Sequence, residues 1–426
     1  MAPRVPAPAG RALKPESLPI VVLGAGAAGL MAASFAATGE RPVILLEKTK
    51  DGGRKILISG GGRCNVLPSS LTPSQYVTES SPNALRNMLL SWPLAEQRRF
   101  FEQDLGIPLA LERESGKLFP VSNRARDVRD ALVKRAVDHG VDIRFGVAAD
   151  GIRAAAPHVW TVRTADGSEI SAAAVIVATG GLSVPQTGSD GLGLRVLADL
   201  GHSIHTTYPA LTPLTAAGAP HEQLAGVSLR VKLMAPMARG PFVTEGGFLF
   251  THRGYSGPAV LDISHIAVRA RLAARPLHML VQWTELDTPA WDRELRQQGA
   301  GQVAPLLRRR LPTRLADALI AEAAVDPQQT LAALKREDRS RLVTMLTRYP
   351  LPCTGDEGYR KAEVTGGGVV LGEVDPRTMQ SRLHPGLYLC GEVLDAFGPI
   401  GGYNFAWAWA TGRLAGLAAA QSYLRS

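Results

Sequence analysis

Residues 20–47 read IVVLGAGAAGLMAASFAATGERPVILLE, and this stretch decides the fold. The apolar run Ile20–Leu23 predicts a buried strand, a helix of small residues then reaches about Thr38, and Val43–Leu46 predicts a second strand. A glycine turn separates the first strand from the helix, and an acid closes the second strand. This order of strand, glycine turn, helix, strand and acid is the order that a dinucleotide-binding site needs.

Each glycine of the turn has its own predicted task. Gly24 permits the tight turn, Gly26 lets the backbone approach a pyrophosphate, and Gly29 lets the helix pack closely on the strand. The first N–H groups of the helix then face the phosphates. Glu47 follows about 20 residues after the turn, where a carboxylate is expected to accept a hydrogen bond from a ribose hydroxyl.

The same stretch has an alternative interpretation as a targeting segment. Leu18–Ala37 is nearly all apolar and has the composition of a signal peptide or a membrane anchor. Three glycines interrupt it, and a second strand that ends in an acid follows, so the pattern favours the dinucleotide site. The turn alone does not say which dinucleotide binds.

Composition sets broad limits. A length of 426 residues predicts two or three domains, and 45% hydrophobic residues supply a sizeable core. Cys64, Cys353 and Cys390 lie far apart, which gives neither a metal-ligand spacing nor a disulfide framework and predicts a cytoplasmic protein. With 47 Lys and Arg against 38 Asp and Glu, the net charge of +9 is compatible with an anionic cofactor, an anionic substrate or nucleic acid.

A second glycine-rich stretch, Lys48–Asn65, follows the acid. Its glycine density predicts a loop folded closely around a ligand, with Arg54, Lys55 and Arg63 as partners for phosphate or carbonyl groups. A flexible linker is the alternative. The apolar Ile56–Ile58 inside the stretch argues for an anchored loop.

Two later segments repeat the close approach of backbone to a ligand. The predicted strand Val175–Ala178 runs into Thr179–Gly181, for which an ordinary turn is the alternative. The predicted strand Gly386–Cys390 is followed by Gly391, Glu392 and Asp395, and then by Gly401–Asn404 and a helix over Phe405–Ala420. A carboxylate placed there reaches cofactor hydroxyls, and the helix directs its positive end at the ring. Tyr403 and Asn404 are alternatively cap residues.

Composition shifts predict the domain boundaries. Residues 206–286 contain short alternating segments typical of an antiparallel β domain, and leucine- and arginine-rich helical segments follow. Residues 264–350 carry 14 Lys and Arg against 9 Asp and Glu, which indicates either a solvated face or a surface for RNA. The predicted parts are a disordered tail over 1–18 (alternatively a transit peptide), a cofactor domain over 19–205 and 361–426, an inserted β domain over 206–286 and 350–360, and a helical insert over 287–349.

These motifs together resemble the BaiN/RdsA-type family of FAD-dependent oxidoreductases, which is related in fold to glutathione reductase. The resemblance extends over Pro19–Leu417 and is most specific at Gly53–Asn65, Thr251–Pro258, Cys390–Asp395 and Gly401–Asn404. It implies an α/β fold, with a discontinuous Rossmann-like FAD-binding domain interrupted by an antiparallel β-barrel-like domain and a small helical domain. The sequence departs from the family after Asn65, and that departure concerns the substrate more than the cofactor.

The resemblance implies non-covalent FAD and hydride transfer through flavin N5. Pyrophosphate, ribose, ribityl and flavin contacts are then expected from Gly24, Gly26, Ala27, Ala28, Gly29, Glu47, Lys48, Arg54, Lys55, Ser59, Gly60, Gly61, Gly62, Arg63, Cys64, Asn65, Thr179, Gly180, Gly181, Gly391, Glu392, Asp395, Gly401, Gly402, Tyr403 and Asn404. The catalytic residues stay unassigned, with Cys64, Arg253 and Tyr255 as weak candidates.

Three functions remain open from the sequence. The first is reduction of an activated C=C bond in a small molecule, and the second is dihydrouridine synthesis in ribosomal RNA, where the uracil C5=C6 bond is reduced. The third is a non-catalytic flavin-binding redox sensor or scaffold. No second glycine-rich strand–turn–helix follows Gly181, so NAD(P)H is expected to enter the flavin cleft transiently, or another donor serves. We expect no membrane partner, and the oligomeric state stays open.

Overall fold

The structure is a computed structural model that describes residues 18–156, 159–216, 218, 221–237, 240–296 and 301–421. Apart from its last residue, the tail predicted over residues 1–18 therefore lies outside the described residues. The chain forms two compact units. The first unit comprises the described parts of Met1–Gly181, Gln186–Thr206 and Gly367–Ser426, and the second comprises those of Leu182–Pro185 and Thr207–Gly366.

The chain contains both strands and helices throughout. The strands in chain order are β1 (Ile20–Leu23), β2 (Val43–Glu47), β3 (Leu67–Pro68), β4 (Leu109–Glu112), β5 (Lys117–Pro120), β6 (Asp142–Phe145), β7 (Ala149–Ala156), β8 (Val159–Thr164), β9 (Glu169–Ala172), β10 (Ala174–Val177), β11 (Ile204–Ala210), β12 (Leu214–Thr215), β13 (Ser228–Ala235), β14 (Phe242–Thr251), β15 (Gly254–Ser256), β16 (Met279–Gln282), β17 (Tyr349–Leu351), β18 (Gly355–Asp356), β19 (Val364–Val369) and β20 (Leu387–Leu389). The α-helices are α1 (Ala27–Ala36), α2 (Arg54–Ile58), α3 (Pro82–Leu89), α4 (Leu94–Arg99), α5 (Ala125–Asp138), α6 (Leu192–Asp199), α7 (Pro258–Leu272), α8 (Thr288–Glu294), α9 (Val303–Arg308), α10 (Thr313–Glu322), α11 (Arg336–Thr347) and α12 (Tyr403–Gln421).

A parallel sheet organises the first unit. Its strands lie in the order β20–β10–β1–β2–β6, and each neighbouring pair is parallel. Every residue of β1 and β10 is buried, which explains why both strands read as continuous apolar runs. The predicted Rossmann-type α/β fold is confirmed.

Small residues bring α1 and α12 into close contact within this unit. A Cβ at Gly412 would lie 2.5 Å from the carbonyl oxygen of Ala28, and one at Gly416 would lie 2.3 Å from that of Ala32. Larger side chains would therefore force the two helices apart. The alanine-rich composition of Leu18–Ala37 serves this packing, and in the part of the chain that the structure describes every helix is too short or too polar to cross a bilayer.

The second unit is built on an antiparallel sheet, as predicted. Its strands lie in the order β17–β16–β13–β14–β15–β12–β18, and the paired strands are antiparallel. Helices α8–α11, from the predicted helical insert, share one hydrophobic core with this sheet. Buried Trp283 of the sheet region and Trp291 of α8 belong to the same core.

Two local predictions were wrong or incomplete. Lys48–Asn65 is not loop throughout, because Arg54–Ile58 forms α2 and a 3-10 turn follows over Ser59–Gly62. The long helix α7 lies inside the region predicted as β structure; Gly257 precedes it, and a proline occupies its first turn, where a missing N–H costs nothing. The glycine-rich Val364–Val369, for which no element was predicted, forms a fully buried strand.

Candidate cofactor site

The glycine turn leaves open space at one position and none at the others. A Cβ at Gly24, where φ is +97°, would lie 2.8 Å from the carbonyl oxygen of Ala178, and one at Gly29 would lie 1.7 Å from that of Gly24. By contrast, no atom lies within 4 Å of a Cβ placed on Gly26. Crowding therefore requires glycine on both sides of a backbone segment that faces free space, where a pyrophosphate was predicted.

Glu47 holds this turn in place. The carboxylate is buried at the end of β2, and its Oε2 accepts a hydrogen bond of 2.8 Å from the backbone N–H of Ala25. Its Oε1 accepts hydrogen bonds from the backbone N–H and the hydroxyl of Thr49, at 2.8 and 2.7 Å. The acid thus lies beside the turn, and its contact with a ribose stays a prediction.

Two of the predicted basic contacts are paired with carboxylates. Lys48 Nζ lies 2.7 Å from Asp190 Oδ2, and Arg54 Nε lies 2.7 Å from Asp51 Oδ1. The hydrogen bond from Arg54 lowers the pKa of Asp51 below its usual value. Both pairs are partly exposed, so a phosphate could compete for either cation at small cost.

The other two basic residues connect separate predicted segments. Lys55 Nζ lies 2.5 Å from Glu392 Oε2, which joins α2 to the chain that follows β20. Arg63 Nη1 lies 3.0 Å from Glu112 Oε1, and its guanidinium stacks 4.0 Å from the centre of the Phe119 ring. The Lys55–Glu392 pair therefore places the carboxylate predicted for the ribityl chain next to the glycine-rich segment.

The turn over Ser59–Asn65 ends in a buried polar atom that lacks a protein partner. Gly60, Gly61 and Gly62 have φ values of 55°, 68° and 85°, and no atom lies within 4 Å of a Cβ placed on Gly61. Asn65 is only 7% exposed, and its Oδ1 has no hydrogen-bond partner among the described residues. Leaving a buried acceptor unpaired costs about 1–3 kcal/mol, so a ligand N–H is expected there. A flavin has such N–H groups, and the site fits FAD.

Cys64 is a poor candidate for a reactive thiol. It is fully buried, and burial raises the pKa of its thiol to about 12, partly offset by the hydroxyl of Ser59. Because the thiolate is the nucleophilic form, the thiol is inert at neutral pH. Its φ of 62° lies in the left-handed region, which a non-glycine residue rarely adopts.

The segments after β10 and β20 approach their neighbours closely. Gly180 has a φ of 73°, and a Cβ at Gly193 would lie 2.2 Å from Thr179 Oγ1. Gly391 has a φ of 76°, and a Cβ there would lie 2.8 Å from the methyl group of Ala28. Thr179–Gly181 and Gly391 therefore lie in the same unit as the glycine turn, where the parallel strands end.

Asn404, the second residue of α12, binds the loop that precedes the helix. Its Oδ1 accepts a hydrogen bond of 2.9 Å from the N–H of Gly398, and its Nδ2 donates to the carbonyl oxygen of Gly398 at 3.0 Å. The Tyr403 hydroxyl accepts a hydrogen bond of 2.9 Å from Gln75 Nε2. Gly402, with a φ of +93°, leaves no room for a Cβ, which would lie 2.6 Å from the backbone carbon of Leu67. These bonds join the first turn of α12 to Gly398, whereas a cap side chain accepts from the first N–H groups of the helix, so both interpretations of Asn404 stay predictions.

Asp395 is bound by a segment that sequence reasoning missed. Its Oδ2 accepts hydrogen bonds from Thr78, Glu79 and Ser80, and its side chain is 3% exposed. These partners precede it by more than 300 residues and form no recognisable motif. No signal in the sequence could have found them.

The two catalytic candidates in the second unit, Tyr255 and Arg253, differ in burial. Tyr255 is fully buried, and its hydroxyl lies 2.7 Å from Nδ1 of the buried His221. Burial also raises the pKa of Tyr255. The prediction that Tyr255 could reach a substrate is therefore wrong, since its hydroxyl serves the core. Arg253 lies exposed in the turn between β14 and β15 and stays a prediction.

Comparison with known proteins gives the same fold. The family described as "HI0933-like protein Rossmann domain" matches residues 18–418. The ribosomal RNA dihydrouridine synthase of Escherichia coli is 32% identical over 407 residues, which cover 93% of this chain and 96% of the relative. The 3-dehydro-bile acid delta(4,6)-reductase of Clostridium scindens is 32% identical over 410 residues, covering 94% and 99%. The crystal structure of 3-ketosteroid delta1-dehydrogenase from Sterolibacterium denitrificans has a TM-score of 0.51 at 12% identity, covers 95% of this chain and 100% of its own, and supports the fold alone.

Proposed function

This chain belongs to the HI0933-like family of FAD-dependent oxidoreductases, and on that premise we propose that its acceptor is an activated carbon–carbon double bond. The observation that carries the proposal is the kinship, at 32% identity, to two relatives with different substrates. The name of one describes a product saturated at C5–C6 of uracil, and the name of the other describes the reduction of ring double bonds. A conjugated C=C bond is the chemistry that the two names share.

The residues of the first unit would hold the cofactor from both ends. The backbone at Gly26 and the start of α1 offer N–H groups to the pyrophosphate, and Glu392, held by Lys55, offers a carboxylate to the ribityl hydroxyls. Asn65 Oδ1 would accept an N–H of the flavin ring. When bound, FAD supplies hydride transfer through N5, and the protein supplies its orientation and electrostatics.

We propose NADH or NADPH as the electron donor, bound only transiently. The glycine-rich chain before α6 does not follow a strand directly, because β10 ends at Val177 and a 3-10 turn over Pro185–Thr187 intervenes. Among the described residues it therefore lacks the strand–turn–helix of a second dinucleotide site. A transient donor would share the flavin cleft with the acceptor, which predicts alternate binding of the two substrates.

Anaerobic reduction of the flavin tests this proposal. The purified protein with FAD should bleach on addition of NADPH or NADH, and reoxidation by a panel of conjugated enones should follow. The Gly26→Val variant, expected to lack FAD, is the control for reactions that bypass the cofactor. A flavin that neither nucleotide reduces would exclude these donors, and a reduced flavin that no enone reoxidises would exclude the proposed acceptor.

Uridine in ribosomal RNA is the second candidate acceptor. The Escherichia coli relative favours this acceptor, because its alignment with this chain covers nearly the full length of both proteins. The excess of basic residues gives weaker support for RNA binding than the relative does. Several arginines of α9–α11 are paired with carboxylates, including Arg308 with Asp317 and Arg339 with Asp292. Mapping dihydrouridine in ribosomal RNA from cells with and without the gene tests this candidate. An identical dihydrouridine map in both strains would exclude uridine and leave a small molecule as the proposed acceptor.

A further inference from the structure

Residues 75–80 form a strap along the chain that leads into α12. Gln75 Nε2 donates to the Tyr403 hydroxyl at 2.9 Å, and the Tyr76 hydroxyl donates to the Tyr403 carbonyl oxygen at 2.7 Å. Val77 exchanges two backbone hydrogen bonds with Phe397, at 2.8 and 3.1 Å. The strap therefore contacts both ends of residues 397–403, including the first residue of the helix.

Asp395 binds the other end of the strap, residues 78–80. Its Oδ2 accepts hydrogen bonds from the Thr78 hydroxyl, from the backbone N–H groups of Glu79 and Ser80, and from the Ser80 hydroxyl, all at 2.8–2.9 Å. His205 Nε2 lies 3.7 Å from the same oxygen. Four donors that converge on one buried oxygen favour a carboxylate over an amide as the acceptor, although burial raises the pKa of Asp395.

The loop that Asp395 begins ends at the N-terminus of α12. Gly401 and Gly402 have φ values of +114° and +93°, and the chain there presses on Leu67, so the loop has little freedom of its own. The positive end of α12 can stabilise negative charge on a reduced flavin only if it lies against the ring's pyrimidine edge. A displacement of residues 395–403 would weaken that interaction.

We propose that Asp395 is a positioning residue that, through the strap, sets the start of α12 against the pyrimidine edge of the flavin. This inference rests on FAD binding in the first unit and is independent of the donor and the acceptor. It differs from the sequence-based expectation for Asp395, which was direct contact with the cofactor. Asp395 acts instead on residues 78–80.

The test is the flavin midpoint potential of Asp395→Asn, measured by equilibration with redox dyes. The loss of a charged acceptor from four hydrogen bonds should raise the dissociation constant for FAD by about tenfold, and the potential should become more negative. Glu373→Gln is the matched control, because Glu373 Oε2 also accepts hydrogen bonds in this unit, from His202 and from the N–H of Ser203. The control should lose stability without a change in potential.

A second variant keeps the proposal testable if Asp395→Asn does not fold. Tyr76→Phe removes only the hydrogen bond to the Tyr403 carbonyl oxygen and keeps the ring beside Trp407. It should move the potential in the same direction by a smaller amount. A potential equal to the wild-type value in every folded strap variant would overturn the proposal and leave Asp395 a purely structural residue. Because dyes replace both substrates, this result is independent of the proposed reaction.

Discussion

The glycine turn of the first unit and the aromatic centre of the second unit use their residues in opposite ways. Around Gly26, the backbone faces space that no protein atom fills, although Gly24 and Gly29 on either side are tightly packed. In the second unit, Tyr255 is fully buried and His221 binds a tyrosine hydroxyl at each ring nitrogen, from Tyr255 at 2.7 Å and Tyr349 at 3.0 Å.

The difference shows where residue type misleads. Tyrosine and histidine are common catalytic residues, yet here their polar atoms bind one another and the partly exposed carboxylate of Glu322, to which Tyr349 donates at 2.8 Å. Glycine has no functional group, yet its positions form the surface that a cofactor would meet. Space and unpaired atoms, as at Asn65, are therefore better guides to this site than reactive side chains.

The largest effect is expected from Gly29→Ala, which tests the crowded side of the turn. The new Cβ would lie 1.7 Å from the carbonyl oxygen of Gly24, and a backbone neighbour cannot move aside as a flexible side chain would. The free energy of unfolding should fall by more than about 3 kcal/mol. Denaturant unfolding of the soluble variant, or its loss to aggregation, measures the effect.

Gly26→Ala is the matched control for this substitution. It adds the same methyl group three residues earlier, where the φ of −77° suits any residue and nothing lies within 4 Å. Stability should change by less than about 1 kcal/mol. Equal losses in the two variants would contradict the distinction between the crowded and the open positions.

Unfolding at low pH tests the burial of His265 in the second unit. Burial lowers the pKa of this histidine from 6.5 to about 4, and the nearby Arg269 acts in the same direction. The unfolded chain therefore binds a proton that the folded chain refuses between pH 6.5 and about 4. The contribution of neutral His265 to the free energy of unfolding is fully present above pH 6.5. It falls with decreasing pH across this window, by up to about 3 kcal/mol.

His265→Phe should remove that part of the acid sensitivity, since a neutral ring fills the same place beside Phe242. Midpoints of urea unfolding at pH 7, 6, 5 and 4 measure the slope for both proteins. His278, which is exposed in the same unit, supplies the control variant His278→Gln. If His265→Phe keeps the wild-type slope, the histidine is not sealed from water.

Gly26→Val tests whether the open space beside Gly26 receives the cofactor. The side chain would project into the free space, so the fold should persist while FAD affinity falls by at least about a hundredfold, which corresponds to roughly 2.7 kcal/mol. The ratio of flavin to protein absorbance in the purified variant measures this loss. A yellow, fully loaded variant would show that the pyrophosphate lies elsewhere.

Local patterns predicted the parallel sheet and its glycine turn, because β1, α1 and β2 are adjacent in the chain and their spacing is fixed by the fold. The strap over residues 75–80 was beyond prediction, since its partners at 395–403 lie more than 300 residues away and ordinary side chains make the contacts. Helix α2 was missed because the glycines of residues 60–62 were read together with Arg54–Ile58, although only the glycines have positive φ.

The smallest effect is expected from Gly61→Ala, which separates backbone handedness from ligand space. Gly61 has a φ of 68°, so alanine should cost about 1 kcal/mol of stability although no atom would touch its methyl group. Gly61→Asn should cost less, because asparagine tolerates this conformation. If handedness alone requires the glycine, FAD affinity will follow stability in both variants. If affinity instead falls with side-chain size, so that asparagine is the more damaging residue, the open space at Gly61 belongs to the ligand, as we propose for Gly26.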